Sequence, residues 1–150
     1  MPRVTQAQAQ KTREKIIKSA YEIIINQGGD KLTFSRIAAH ANIGKSGVTT
    51  HFKKKEDLLE ELAPFLERRI ASHLSFNSIE EFYSSWKDAV DNSDEFLNIA
   101  MSIQNNYTSL VRLKRYFSHS EDPEKVSAII YMAVGYAITA LGSAKRLKFM

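Results

Sequence analysis

From about Gln10 to Asn26 the apolar residues Ile16, Ile17, Ala20, Tyr21, Ile24 and Ile25 recur at spacings of three and four, which predicts an amphipathic helix. Gly28-Gly29 ends that stripe as a C-terminal cap. Thr33 is the expected N-cap of a short helix around Phe34 to His40, because its hydroxyl oxygen accepts an otherwise unpaired backbone N–H. A second short helix over residues 44–52 follows a tight glycine-containing turn. From Lys55 a longer helix is expected, with Leu58, Leu59, Leu62, Phe65, Leu66, Ile70 and Leu74 inward. Pro64 removes a hydrogen bond from its interior, which predicts a kink or a break near residues 60–64.

The second half reads as helix too. Ser78-Ile79-Glu80-Glu81 has the form of a capping box, opening a helix with Ile79, Phe82, Tyr83, Trp86 and Val90 as its apolar positions. Another starts near Asn92 or Ser93 and carries Phe96, Ile99, Ala100, Ile103 and Tyr107. Asp122-Pro123 is an N-cap with proline at the first helical position, and the last helix runs from there nearly to residue 150. The fold class expected is therefore all-α. An N-terminal three-helix head with a helix-turn-helix, residues 1–54, precedes a helical body, residues 55–150.

Charge sharpens this division. Residues 1–58 carry eleven Lys/Arg and five Asp/Glu, whereas residues 59–150 carry ten and twelve. A basic head on a mildly acidic body points to a polyanion contact at one end. With no cysteine, the chain has no disulfide framework, thiolate metal site or Cys nucleophile. The four histidines are too scattered for a zinc-protease motif, so neither a catalytic nor a metal site is expected, and no cofactor. Gly44-Lys45-Ser46 imitates the end of a P-loop, but Ala39 stands where that loop needs glycine, and helix stands where it needs a strand.

The segment from residue 13 to 58 resembles the DNA-binding head of the TetR family of bacterial repressors. Arg13, Ile16-Ile17, Ala20, Gly28, Thr33, Ile37-Ala38, Ala41, Ile43, Lys45, Val48, His51-Phe52, Lys55-Glu56 and Leu58 carry the resemblance. The sequence departs from the family pattern at Asn42, usually glycine, at Gly44, often a capping Ser or Thr, and at Thr49, often tyrosine. The resemblance implies a cytoplasmic homodimeric repressor, released by a small-molecule effector, whose two recognition helices enter successive major grooves of a palindromic operator in double-stranded DNA.

On that reading Lys45 is the best reader of base edges, and Ser46, Thr49 and Thr50 read bases or touch phosphates. Gly47, costly inside a helix, suggests close approach to DNA or to the bracing helix. His51, Lys53 and Lys55 are expected phosphate clamps, and Thr33 and Ser35 donate to phosphate beside the bracing helix. Val48, Ile43 and Phe52 are expected core. Phe65, Phe82, Tyr83, Trp86, Phe96 and Tyr107 are candidates to line a pocket for a small lipophilic ligand, with simple core packing as the competing reading.

Residues 126–144 are nineteen uncharged positions, long enough to cross a bilayer. One alternative is thus a membrane-anchored DNA-binding or interaction protein. A helix apolar all round is also expected at the centre of a dimer, and the resemblance decides for that reading, since such repressors dimerise through their last helices. The expected interface is Ile130, Val134, Gly135, Ile138, Thr139 and Gly142, with no membrane partner.

Overall fold

The computed structural model describes residues 5–103 and 110–148, with side chains described up to residue 142 of the last helix. The described residues form seven α-helices: α1 Gln6–Gln27, α2 Phe34–Ala41, α3 Lys45–His51, α4 Lys55–Ala71, α5 Ile79–Asn92, α6 Asp94–Ile103 and α7 Pro123–Lys148. Short 3-10 turns cover Gly29–Lys31 and Arg112–Tyr116. There is no strand among the described residues, in agreement with the expected all-α class.

Helix α1 starts four residues earlier than its apolar stripe suggests. Thr5 accepts from Gln8 N at 3.1 Å while the Gln8 side chain accepts from Thr5 N at 3.2 Å, a reciprocal capping box that carries the helix out past the core. At its other end Gly28 takes φ +97°, a conformation that disfavours any side chain, and its N–H returns to Ile24 O. Thr33 caps α2 as expected, accepting from Arg36 N at 3.1 Å.

Pro64 neither breaks nor shortens α4, which is one helix from Lys55 to Ala71. The correction has a simple cause. Pro64 and Glu60, the residue whose carbonyl loses its partner, both lie on the exposed face, where water satisfies the oxygen. The opposite face carries Leu58, Leu62, Leu66 and Ile70, all fully buried. Glu67, buried on the same helix, is held by Arg115, whose Nε stands 3.0 Å from Oε1, so the buried charge is paired.

A single hydrophobic core runs from head to body without a gap at residue 54, joining Ile16, Ile37 and Val48 through Leu62 to Trp86, Phe96 and Ala133. Ser78 caps α5 by accepting from Glu81 N at 3.0 Å, but the Glu81 carboxylate turns to Ser75 Oγ at 2.9 Å instead of closing the box. Asp122 caps α7 through Glu124 N at 3.0 Å. Helix α7 buries Val126, Ile129, Ile130, Ala133 and Ala137 against the body and leaves Tyr131, Met132, Gly135, Ile138, Thr139 and Gly142 exposed.

Candidate nucleic-acid interface

The turn between α2 and α3 is set by its backbone. Asn42 sits in the left-handed region with φ 57°, ψ 47°, a conformation asparagine tolerates better than any other residue except glycine. Asn42 N donates to Ala39 O at 3.3 Å and Ile43 N to Ala38 O at 3.0 Å. This pair of bonds closes a Schellman motif, so the departure at Asn42 leaves the turn intact. Gly44, extended at φ −73°, then starts α3 without a side-chain cap.

Helix α3 is anchored by one fully buried residue, Val48, and by Phe52 just beyond its end. Ile43 packs half-buried against the same core. Anchoring on that side turns Lys45, Ser46 and Thr50 to solvent, with Gly47, Thr49 and His51 partly exposed and Lys53 exposed beyond the helix. Thr33 and Ser35 are exposed at the start of α2. Thr49 and Thr50 donate their hydroxyls to Ser46 O at 3.1 and 2.7 Å. Those protons are therefore engaged, and what the threonines offer outward is an acceptor oxygen and a methyl group. A Cβ added to Gly47 would meet only Ile43 Cδ1, at 3.7 Å. Packing on the bracing helix therefore does not require this glycine.

Lys55, expected as a phosphate clamp, is engaged within the protomer. Its Nζ donates to Gly29 O at 3.0 Å and is partly buried, so it ties the start of α4 to the turn after α1. Lys54, not singled out from the sequence, is the exposed cation at this point. Arg13 is the other residue whose role was missed. Its Nη1 donates to His51 O at 3.2 Å, its guanidinium stands 4.4 Å over the Phe52 ring, and Nη2 pairs with Glu61 on α4. No local pattern reports a bond across 38 residues.

The six aromatics proposed for a pocket are not brought together. Phe82, Trp86 and Phe96 are fully buried and packed on each other, with the Trp86 and Phe96 rings edge to face at 4.9 Å, so they are core. Tyr83 packs at the surface between Tyr136 and Lys87. Phe65 faces away from them, 47% exposed, in an open groove between α1 and α4. Tyr107 lies outside the described residues. The expected interface set divides as well. Ile130 is buried in the protomer's own core and Val134 packs partly against it, whereas Gly135, Ile138, Thr139 and Gly142 share the exposed face.

A short bracing helix, a left-handed turn and a second helix with a polar outer face define a helix-turn-helix protein. Residues 16–62 match the model of bacterial regulatory proteins, tetR family, so the head of this chain is that of a tetR-family regulator. It is 32% identical over 90 residues to the HTH-type transcriptional regulator SrpR of Pseudomonas putida and, equally, to the regulator TtgW of that species. These alignments cover 60% of this chain, 41% of SrpR and 66% of TtgW. The probable acrEF/envCD operon repressor of Escherichia coli is 33% identical over 78 residues, which is 50% of this chain and 36% of the repressor. The chain thus spans less than two thirds of these relatives. Among solved structures, NalD of Pseudomonas aeruginosa, described as the secondary repressor of the MexAB-OprM multidrug efflux pump, is similar in fold. The TM-score is 0.51 at 17% identity, covering 91% of this chain and 87% of NalD.

Proposed function

We propose that this protein is a sequence-specific DNA-binding transcriptional repressor that acts as a homodimer on a palindromic operator. The observation that carries the reading is α3 itself, pinned by Val48 with Lys45, Ser46 and Thr50 outward in a segment where basic residues outnumber acidic ones eleven to five. Lys45 reads a base edge, donating to guanine, and the Thr49 and Thr50 methyl groups suit thymine. Ser46, His51, Lys53, Thr33 and Ser35 contact phosphates, which set register without specifying sequence.

The exposed apolar face of α7, with Tyr131, Met132 and Ile138 flanking Gly135 and Gly142, supports dimerisation through that helix. Pro123–Gly142 is long and apolar enough to cross a membrane. Its other face, however, is built into the core through Ile130, Ala133 and Ala137. Crossing a bilayer would strip that packing, so we read α7 as a dimer helix and the protein as cytoplasmic. Release by a small lipophilic effector completes the reading.

Binding of a selected DNA pool by fluorescence anisotropy tests the proposal. Affinity should fall steeply from ~50 to 200 mM salt as counterions are released. Lys45→Ala should cost roughly 1–3 kcal/mol and relax preference at one base of each half-site. A flat salt response, or no enrichment of any sequence, would refute it.

A further inference from the structure

We propose that the groove between α1 and α4 binds a lipophilic aromatic anion, a carboxylate or sulfonate on a ring system, and that Glu61 and Arg13 relay its occupancy to the recognition helix. The groove is open to solvent along one side and offers about 830 Å³, room for a drug-sized molecule. Phe65 from α4 and Ile17 and Tyr21 from α1 give it apolar walls. Phe65, nearly half exposed, is a large ring left uncovered by the protomer.

The charges around these walls decide the sign of the ligand. Arg69 is neutralised by Glu95, with Nε 2.6 Å from Oε1, and Glu61 by Arg13. That leaves Lys18 and Arg68 against Glu14; among the described residues neither cation has an ion pair. The Arg68 guanidinium already stands 5.0 Å over the Phe65 ring. An aromatic acid packed against Phe65 would bring its anionic group to that guanidinium, which presents a fork matched to carboxylate or sulfonate oxygens. A ligand cation would have to displace Arg68 from the ring and sit beside Lys18.

Glu61 lines the same groove, and its partner Arg13 holds the last carbonyl of α3 at His51. A bound anion repels the Glu61 carboxylate and so disturbs its pairing with Arg13, which loosens the end of the proposed recognition helix. This relay rests on the proposed DNA-binding role of α3; the binding site does not.

The test titrates the full chain with anilinonaphthalene sulfonate, with uncharged Nile red and cationic ethidium as comparisons. The anionic dye should bind the wild type, Arg68→Gln should weaken it by about tenfold while Nile red is unaffected, and Phe65→Ser should weaken both. Equal affinity of the anionic dye for wild type and Arg68→Gln, or tighter binding of ethidium, would overturn the anion site. The relay is read from the main-chain amide resonances of His51 and Phe52, which should shift when the dye binds wild type and stay unmoved in Glu61→Ala. Persisting shifts in Glu61→Ala would overturn it. No DNA enters either readout, so failure here is distinct from failure of the operator reading.

Discussion

Arg13 of α1 donates to the main-chain oxygen of His51, the last residue of α3, at 3.2 Å. The final carbonyls of a helix lack partners within it, so α3 is finished by a side chain from another element. The same guanidinium covers Phe52 and pairs with Glu61, so Arg13 ties the end of α3 to both α1 and α4. Because both members of the ion pair are about a third exposed, most of its value lies in the carbonyl bond and the ring contact rather than in charge attraction. Arg13→Ala should lower stability by about 1–2 kcal/mol in urea unfolding and weaken DNA binding by more than that stability loss explains. Arg13→Lys, without the fork, should restore only part of either. A variant that unfolds like wild type would show that α3 needs no outside support.

Gly47 gives an opposed pair of effects. The protomer has room for a Cβ there, and glycine inside a helix costs roughly 1 kcal/mol relative to alanine. Gly47→Ala should therefore stabilise the folded chain while reducing DNA affinity, since close approach to DNA is the remaining reason for a bare backbone. Thermal unfolding and anisotropy on the same preparation separate the two. Unchanged affinity would remove position 47 from the interface.

Lys55 and Gly29 mark the junction of head and body. A Cβ on Gly29 would lie 2.6 Å from Ser102 Oγ and 3.1 Å from Ser102 Cβ on α6. Gly29→Ala should destabilise, and Gly29→Ala with Ser102→Ala should recover part of the loss because the nearer atom is gone. Lys55→Ala should lower stability through loss of the bond to Gly29 O and leave the salt slope of DNA binding unchanged. A slope shallower by about one would return Lys55 to the phosphate contacts.

What the residue pattern made legible is what local physics controls. The head's order of helices, the caps at Thr33, Ser78 and Asp122, and the burial of Val48 and Phe52 all follow from short-range spacing and polarity. The bonds that Lys55 and Arg13 make within the protomer were not legible because their partners lie 26 and 38 residues away. Of the two outcomes expected at Pro64 the break is absent, because the cost of a proline depends on whether the orphaned carbonyl faces water. In α7 the apolar residues surround the axis, so no moment distinguishes core from interface, and Ile130 was placed with Gly135 although they face opposite ways. The aromatics of α5 and α6 were legible as apolar, but only their mutual packing shows that Phe82, Trp86 and Phe96 fill their own space.

Tyr136 of α7 donates to both carboxylate oxygens of Asp91 on α5, at 2.8 and 2.9 Å, and this bond to the protonated phenol raises its pKa above 10.0. A raised pKa means the folded chain holds the proton more tightly than the unfolded chain. The contribution is thus fully present below about pH 10 and is lost as pH rises through the folded value. Tyrosinate absorbance should show a phenol titrating above the usual tyrosine value, and Asp91→Asn should lower its midpoint. Coincident titration in both proteins would mean the bond is not held in solution.

Gly135 separates the two readings of α7. Nothing lies within 4 Å of a Cβ built there, and the residue is exposed on the face shared by Ile138, Thr139 and Gly142. Gly135→Leu therefore meets no obstacle inside the protomer, and its higher helix propensity should leave the isolated chain at least as stable as wild type. Against a partner helix packed on that face the same side chain has no space, and overpacking a tight contact costs ~1–3 kcal/mol. The expected result is a folded, detergent-free protein that dissociates at higher concentration than wild type by sedimentation. Its operator affinity should fall in step, because a single head holds only half the phosphates. A bilayer reading forecasts the reverse: wild type would partition into vesicles, and an added leucine would strengthen that partition. If Gly135→Leu remains a dimer of unchanged affinity, the partner does not approach α7 at this glycine.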